Sequence, residues 1–266
     1  MLSDLHIHTC FSSDSTTDPE SIIKKAIELG MPYICFTDHN EFEYEDDLFI
    51  LDTGAYFDTL RELKDKYSKN ISVLIGVEQG LEVSKKTKIN DFLKSHPFDF
   101  IIGSSHTVNG TDPYYPEYFN GRTTYEAICE YFSSVLDNLN TFDNFDVYGH
   151  IDYVIRYAID KDDDYCYEKY KEYLEPILKT IISKGRGIEI NTGGLRSSIN
   201  ETNPSLEIIK KYKELGGTII TIGSDAHKLE DVAAGFDIAK TYLLEAGFDY
   251  YNVFINRTAN VIKLEI

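Results

Sequence analysis

At 266 residues and 30.4 kDa the chain is too long for a disulfide-stapled miniature and long enough for one large α/β domain. A composition of 42% hydrophobic, 27% charged and 13% aromatic residues excludes a disordered chain. Twenty-six basic residues against 45 acidic ones leave a net charge of −19, a field that repels a nucleic-acid backbone and gathers divalent cations.

The remaining bulk signals are quiet. No run reaches the roughly 18 apolar residues of a membrane span, and Met1-Leu2-Ser3-Asp4 lacks the basic and apolar regions of a secretion signal. A cytoplasmic protein without membrane or nucleic-acid partners is expected. Cys10, Cys35, Cys129 and Cys166 show no C-x-x-C spacing and read as free thiols, with buried packing expected for Cys10 and Cys35.

Along the chain, seven short apolar runs alternate with helix-patterned stretches. Leu2–His8 comes first. Thr17-Asp18-Pro19-Glu20 then offers a helix start, with Glu20 three residues after Thr17 and a proline suited to the first turn. Ile22, Ile23, Ala26, Ile27 and Leu29 form one apolar face, and Gly30 supplies the stop. Runs follow at Tyr33–Thr37, Ile71–Glu78, Asp99–Ser104, Phe145–His150, Gly187–Asn191 and Thr218–Ser224. Helices are predicted over Tyr56–Tyr67, Tyr125–Leu139, Tyr165–Ser183, Pro204–Leu215 and Asp231–Ala246.

The runs are apolar throughout rather than alternating, as strands buried on both faces require, which implies a parallel sheet. With no linker and no repeat, residues 1–266 read as a single domain, a closed or nearly closed β/α barrel. A doubly wound open sheet shares this periodicity.

Polar residues concentrate where the runs end. The termini read Asp4-Leu5-His6-Ile7-His8, Thr37-Asp38-His39, Gly76-Val77-Glu78, Ser104-Ser105-His106, Gly149-His150-Ile151-Asp152 and Ser224-Asp225-Ala226-His227. Six of the seven histidines lie here; His96 reads as a surface residue. In a β/α barrel these ends converge on one mouth. His6 and His8 share a strand face, as do Asp225 and His227, so each pair can reach one ion. Glu78 ends an apolar run, where an unpaired charge is costly and a bridging position between cations would stabilise it. Asp14 sits in a loop where turn, cap and ligand roles are all open.

Nine such ligands exceed one tetrahedral site. Imidazole and carboxylate without thiolate suit zinc, iron(II) or manganese without choosing among them. Three ions sharing Glu78 and a bridging hydroxide would account for all nine, and metal-assisted phosphoester hydrolysis is the chemistry such a cluster serves.

These marks, in this order, resemble the polymerase and histidinol phosphatase (PHP) superfamily, and the resemblance covers nearly the whole chain. It implies a distorted (β/α)7 TIM-like barrel with a trinuclear metal site at the C-terminal ends of the strands. Carried over by motif, one ion would be held by His6, His8, Glu78 and Asp225, a second by Glu78, His106 and His150, and a third by Asp14, His39 and His227.

Within the superfamily the chain is most similar to the stand-alone histidinol-phosphate phosphatases of histidine biosynthesis. The shared features include the insertion 41–51, the tyrosine-rich 113–119 and segments 150–156 and 189–196, although Ser104-Ser105-His106 departs from a commoner Ser-Val-His form. The implied activity is hydrolysis of L-histidinol phosphate, a small phosphate monoester. Arg156 and Arg196 follow strand ends on the same side and would hold the phosphate through their planar forks. Tyr114, Tyr115 and Tyr118 could stack on an imidazole or simply pack over the mouth. A nucleotide or sugar phosphate is the competing substrate. A non-catalytic scaffold fits poorly with nine ligand positions present.

Overall fold

The computed structural model describes residues 2–158 and 165–265. Strands β1 (Tyr33–Phe36), β3 (Ser72–Gly80), β4 (Phe100–Ser104), β5 (Val147–Tyr148), β6 (Gly187–Asn191) and β7 (Ile220–Gly223) pair in parallel in that order. A two-residue strand β2 (His39–Asn40) pairs with the end of β3 and sets His39 opposite Glu78. The sheet curls, and residues 2–8 lie between its edges. Leu5 N and Asp225 N donate to Ile222 O and His6 O on one side, while Cys35 N and Thr37 N donate to Asp4 O and Ile7 O on the other. The fold is thus a distorted TIM-like barrel.

Residues 2–8 make only isolated bridges, to Ile34 and Ala226, so the first expected strand is a seam rather than a regular ladder. Asp4 fixes it. Its buried carboxylate accepts from Ser224 N (2.9 Å) and Ala233 N (3.0 Å), and burial pushes its pKa up to about 6.

Seven helices follow among the described residues: α1 (Pro19–Glu28), α2 (Thr53–Tyr67), α3 (Lys86–Ser95), α4 (Thr124–Thr141), α5 (Tyr167–Ser183), α6 (Leu206–Glu214) and α7 (Phe236–Glu245). In α1, Ile22, Ile23 and Ala26 are buried as the periodicity requires. Its cap is Asp18, which accepts from Ser21 N at 2.8 Å, and not Thr17, whose hydroxyl donates instead to His227 O. At the start of α4, Thr123 and Glu126 do form a reciprocal capping box.

Elsewhere the structure departs from the sequence reading. Helix α3 went unpredicted because its apolar face is reduced to Ile89 and Leu93. The last predicted helix starts at Phe236, after Gly235 turns the backbone left-handed at φ 77°. After α7 comes an antiparallel hairpin, β8 (Tyr250–Ile255) and β9 (Thr258–Lys263), turned by Asn256 and Arg257 at φ 48° and 61°. Asn256 N and Arg257 N donate to Asp99, and Arg257 Nε meets Asp146 at 2.6 Å, so this turn seals the end where β4 and β5 begin. Cys35 is buried, but Cys10 is exposed on the loop after His8. His96 is half-buried, its ring stacked on Phe57 and tilted against Phe92, its Nδ1 donating to Phe92 O.

Candidate metal centre

At the opposite end, the strand termini bring all nine expected ligand residues into one neighbourhood. His6 Nε2 and His8 Nε2 lie 3.1 Å apart. Glu78 Oε2 is 3.2 and 3.4 Å from them, and Asp225 Oδ1 3.6 and 3.4 Å. On the other side of the same carboxylate, Glu78 Oε1 faces His106 Nε2 at 3.2 Å and His150 Nε2 at 2.8 Å. Nearer the rim, Asp14 Oδ2 stands 3.5 Å from His39 Nε2 and 3.1 Å from His227 Nε2. His39 links the groups, its Nδ1 lying 3.1 Å from Glu78 Oε2.

The hydrogen bonds behind the imidazoles decide which nitrogen faces inward. A carboxylate can only accept, so His6 Nδ1 donates to Glu189 Oε1 (2.6 Å) and His106 Nδ1 to Glu41 Oε1 (2.6 Å). Ser12 Oγ donates to Asp38 and therefore accepts from His8 Nδ1 (3.1 Å); His227 Nδ1 donates to Asp225 O. In each neutral ring the Nε2 lone pair is left facing carboxylate oxygens. Lone pairs opposed at this range repel unless positive charge sits between them. Six clustered imidazoles cannot all carry protons: against the pull of burial, the facing carboxylates hold His6, His39 and His106 well above the ordinary imidazole pKa, whereas burial together with His227 and His39 holds His8 well below it.

The donor set therefore fits divalent metal ions. The 3.1–3.6 Å separations in the first group match the roughly 3.3 Å edge of a tetrahedron of ligands at about 2.0–2.1 Å from zinc. Glu78 Oε2, His39 Nδ1 and His150 Nδ1 are buried without a hydrogen-bond partner. Burial would raise Glu78, yet His6, His106 and His39 hold its carboxyl well below the usual range, so it is a ready anionic ligand. Burial likewise opposes ionisation of Asp225, and His6, His8 and Arg156 outweigh it.

Local backbone sets these positions. Asp225 adopts a left-handed conformation at φ 56°, a strained state for a non-glycine residue just past a strand end. A Cβ on Gly223 would strike His6 and Glu189, and one on Gly80 would strike Glu41. Glycine at these two positions lets a carboxylate close on the back of each histidine.

Glu189 and Glu41 carried no role in the sequence reading. Glu189 had a signal, since a glutamate inside the apolar run Gly187–Asn191 poses the same burial problem as Glu78. Glu41 had none; it opens an acid-rich loop that resembles a solvated one. The arginines part company. Arg156 lines the cavity over the cluster, bonded to Asp225 Oδ2 (3.0 Å), Asn191 and Asn203. Arg196 is not among the lining residues; its Nη2 donates to Ser224 O and Asp225 O. Tyr114 and Tyr115 also line the cavity, whereas Tyr118 is buried beneath, donating to Ala127 O.

Clustered imidazoles and carboxylates at the C-terminal mouth of a parallel barrel define a metal-dependent hydrolase site. Residues 4–193 match the family model described as PHP domain, and the chain belongs to that family. Among its relatives, it is 34% identical over 246 residues to the histidinol-phosphatase of Lactococcus lactis subsp. lactis (strain IL1403), covering 92% of this chain and 91% of that protein. A relative from Clostridium acetobutylicum is 35% identical over 240 residues, covering 89% and 90%. A solved structure of the L. lactis histidinol phosphate phosphatase, complexed with zinc, L-histidinol and phosphate, superposes with a TM-score of 0.92 at 32% identity, covering 98% of this chain and all of that one.

Proposed function

We infer that this protein is a metal-dependent phosphomonoesterase that hydrolyses L-histidinol phosphate to L-histidinol and phosphate. The observation that carries the reading is Glu78, a buried carboxylate with one oxygen in each of two histidine groups. A similar protein holding zinc, L-histidinol and phosphate supports the substrate.

Three ions fit the three donor groups. His6, His8, Glu78 and Asp225 would hold one; Glu78, His106 and His150 a second; Asp14, His39 and His227 a third. Zinc, iron(II) or manganese suits these donors. When bound, such ions supply Lewis acidity that lowers the pKa of water and neutralises phosphoryl oxygens. The chain's own residues do the rest. Glu189, Glu41 and the Ser12–Asp38 pair hold three imidazoles in the tautomer that points Nε2 inward. Arg156, at the cavity wall, is the proposed first phosphate contact, with Arg196, against the Ser224 and Asp225 carbonyls, as the second. Binding orients the ester for in-line attack.

The test is phosphate release from L-histidinol phosphate beside a panel of nucleotide and sugar phosphates, with zinc-, manganese- and iron-loaded protein. Highest kcat/KM on L-histidinol phosphate is expected. Equal or faster turnover of a nucleotide would overturn the assignment.

A further inference from the structure

We propose that Asp112 selects the substrate by charge, its carboxylate receiving the ammonium group of an amino-alkyl phosphate whose phosphoryl end lies against the histidine–carboxylate cluster. The proposal rests on the phosphomonoesterase reading and adds the residue that makes an amine matter.

Asp112 is 5% exposed and lines the cavity. Its Oδ1 accepts from the Tyr114 amide (2.7 Å) and the Tyr153 hydroxyl (3.3 Å), and its Oδ2 accepts from the Tyr44 hydroxyl (2.8 Å). All three partners are neutral. The other buried carboxylates of the cavity face basic groups: Glu41 meets His106, Glu78 the histidine cluster, and Asp225 meets Arg156. No Lys or Arg pairs with Asp112 among the described residues. Burial pushes this carboxyl up; His106 acts on it only through space and Glu41 opposes that, so hydroxyls and one amide hold it with no countercharge bonded to it. A cationic ligand supplies that charge and takes the lone pair of Oδ2 that Tyr44 leaves open.

Placement supports the same conclusion. The Tyr153 ring packs against His106 and His150 at 5.2 Å each, while its hydroxyl reaches Asp112. The carboxylate therefore stands one phenol ring away from the cluster, within the span of a short amino-alkyl phosphate. Tyr114, whose ring packs on Tyr115 and Tyr157, lines the same wall and offers π-faces to a cation. Positive ions at one end and a buried carboxylate at the other form a receptacle for a molecule with the opposite polarity.

The test compares esters that differ only in the amine: L-histidinol phosphate against its desamino analogue, and O-phosphoethanolamine against n-propyl phosphate. Wild-type holoenzyme is expected to prefer the amine in both pairs. In Asp112→Asn, which keeps the shape and the Oδ1 acceptor, kcat/KM for the amine-bearing esters falls about 10- to 100-fold while the desamino esters change by less than about threefold. Inhibition by L-histidinol weakens and inhibition by inorganic phosphate does not. Equal losses on both members of a pair would mean that Asp112 merely holds the loop, and would overturn the proposal. So would a wild-type enzyme indifferent to the amine, a result that needs no folded variant. Should L-histidinol phosphate prove a poor substrate, the phosphoethanolamine and propyl phosphate pair still tests Asp112 on its own.

Discussion

The cavity has two walls built by different means. The inner wall, His6, His8, Glu78, His150 and Asp225, rises from strand ends and the barrel seam; all five side chains are buried, and His6, His8 and Asp225 are held from behind by Glu189, Ser12 and Arg156. The outer wall belongs to two loops, residues 41–51 and 112–119, cross-tied by Tyr44 to Asp112 and by Tyr115 to Glu45. There Glu43, Glu45, Asp46 and Asp47 all take left-handed backbone conformations. The barrel fixes donors whose spacing has to be kept within tenths of an ångström. The loops carry polar groups that can differ from one enzyme to another without disturbing them.

Removing the ions should strike hardest, because the inner wall then holds opposed lone pairs. Dialysis against a chelator is expected to take phosphate release to background and to lower the melting temperature, with zinc or manganese add-back restoring both; each ion at 100 times its Kd contributes about 2.7 kcal/mol. Unchanged activity would erase the distinction between the walls. Glu78→Gln deletes the shared anion while keeping its size, and should cost about a thousandfold in kcat together with metal content measured by elemental analysis. Glu189→Gln leaves every proposed ligand in place but weakens the brace on His6; a 10- to 100-fold loss of metal affinity, read by chelator competition, is expected. On the outer wall, Tyr44→Phe removes one hydroxyl from Asp112. A rise in KM of about two- to fivefold with metal content intact is the anticipated outcome. A larger loss of metal from Tyr44→Phe than from Glu189→Gln would reverse the proposed division of labour.

How much of this was legible in the sequence follows the same divide. Parallel strands buried on both faces leave apolar runs that end abruptly in polar residues, so the strand ends, and the histidines and carboxylates on them, stand out. The C-terminal hairpin escaped because β9 is mostly exposed and lacks a long apolar run. Helix α3 escaped for the same want of a full apolar stripe.

Asp112 and Glu41 lie outside any strand, in stretches already rich in acidic and aromatic residues, where nothing local separates a buried carboxylate from a solvated one. Apolar runs that stop at polar residues are a property of neighbours in the chain, and they determined the parallel strands and the strand-end residues; closure into a barrel rather than an open sheet was decided by residues 2–8 bonding to both sheet edges. Which nitrogen of His6 and of His106 points inward, and which carboxylate backs it, are set by residues 183 and 65 positions away. Burial and hydrogen-bond geometry at such separations exist only once the chain has closed on itself.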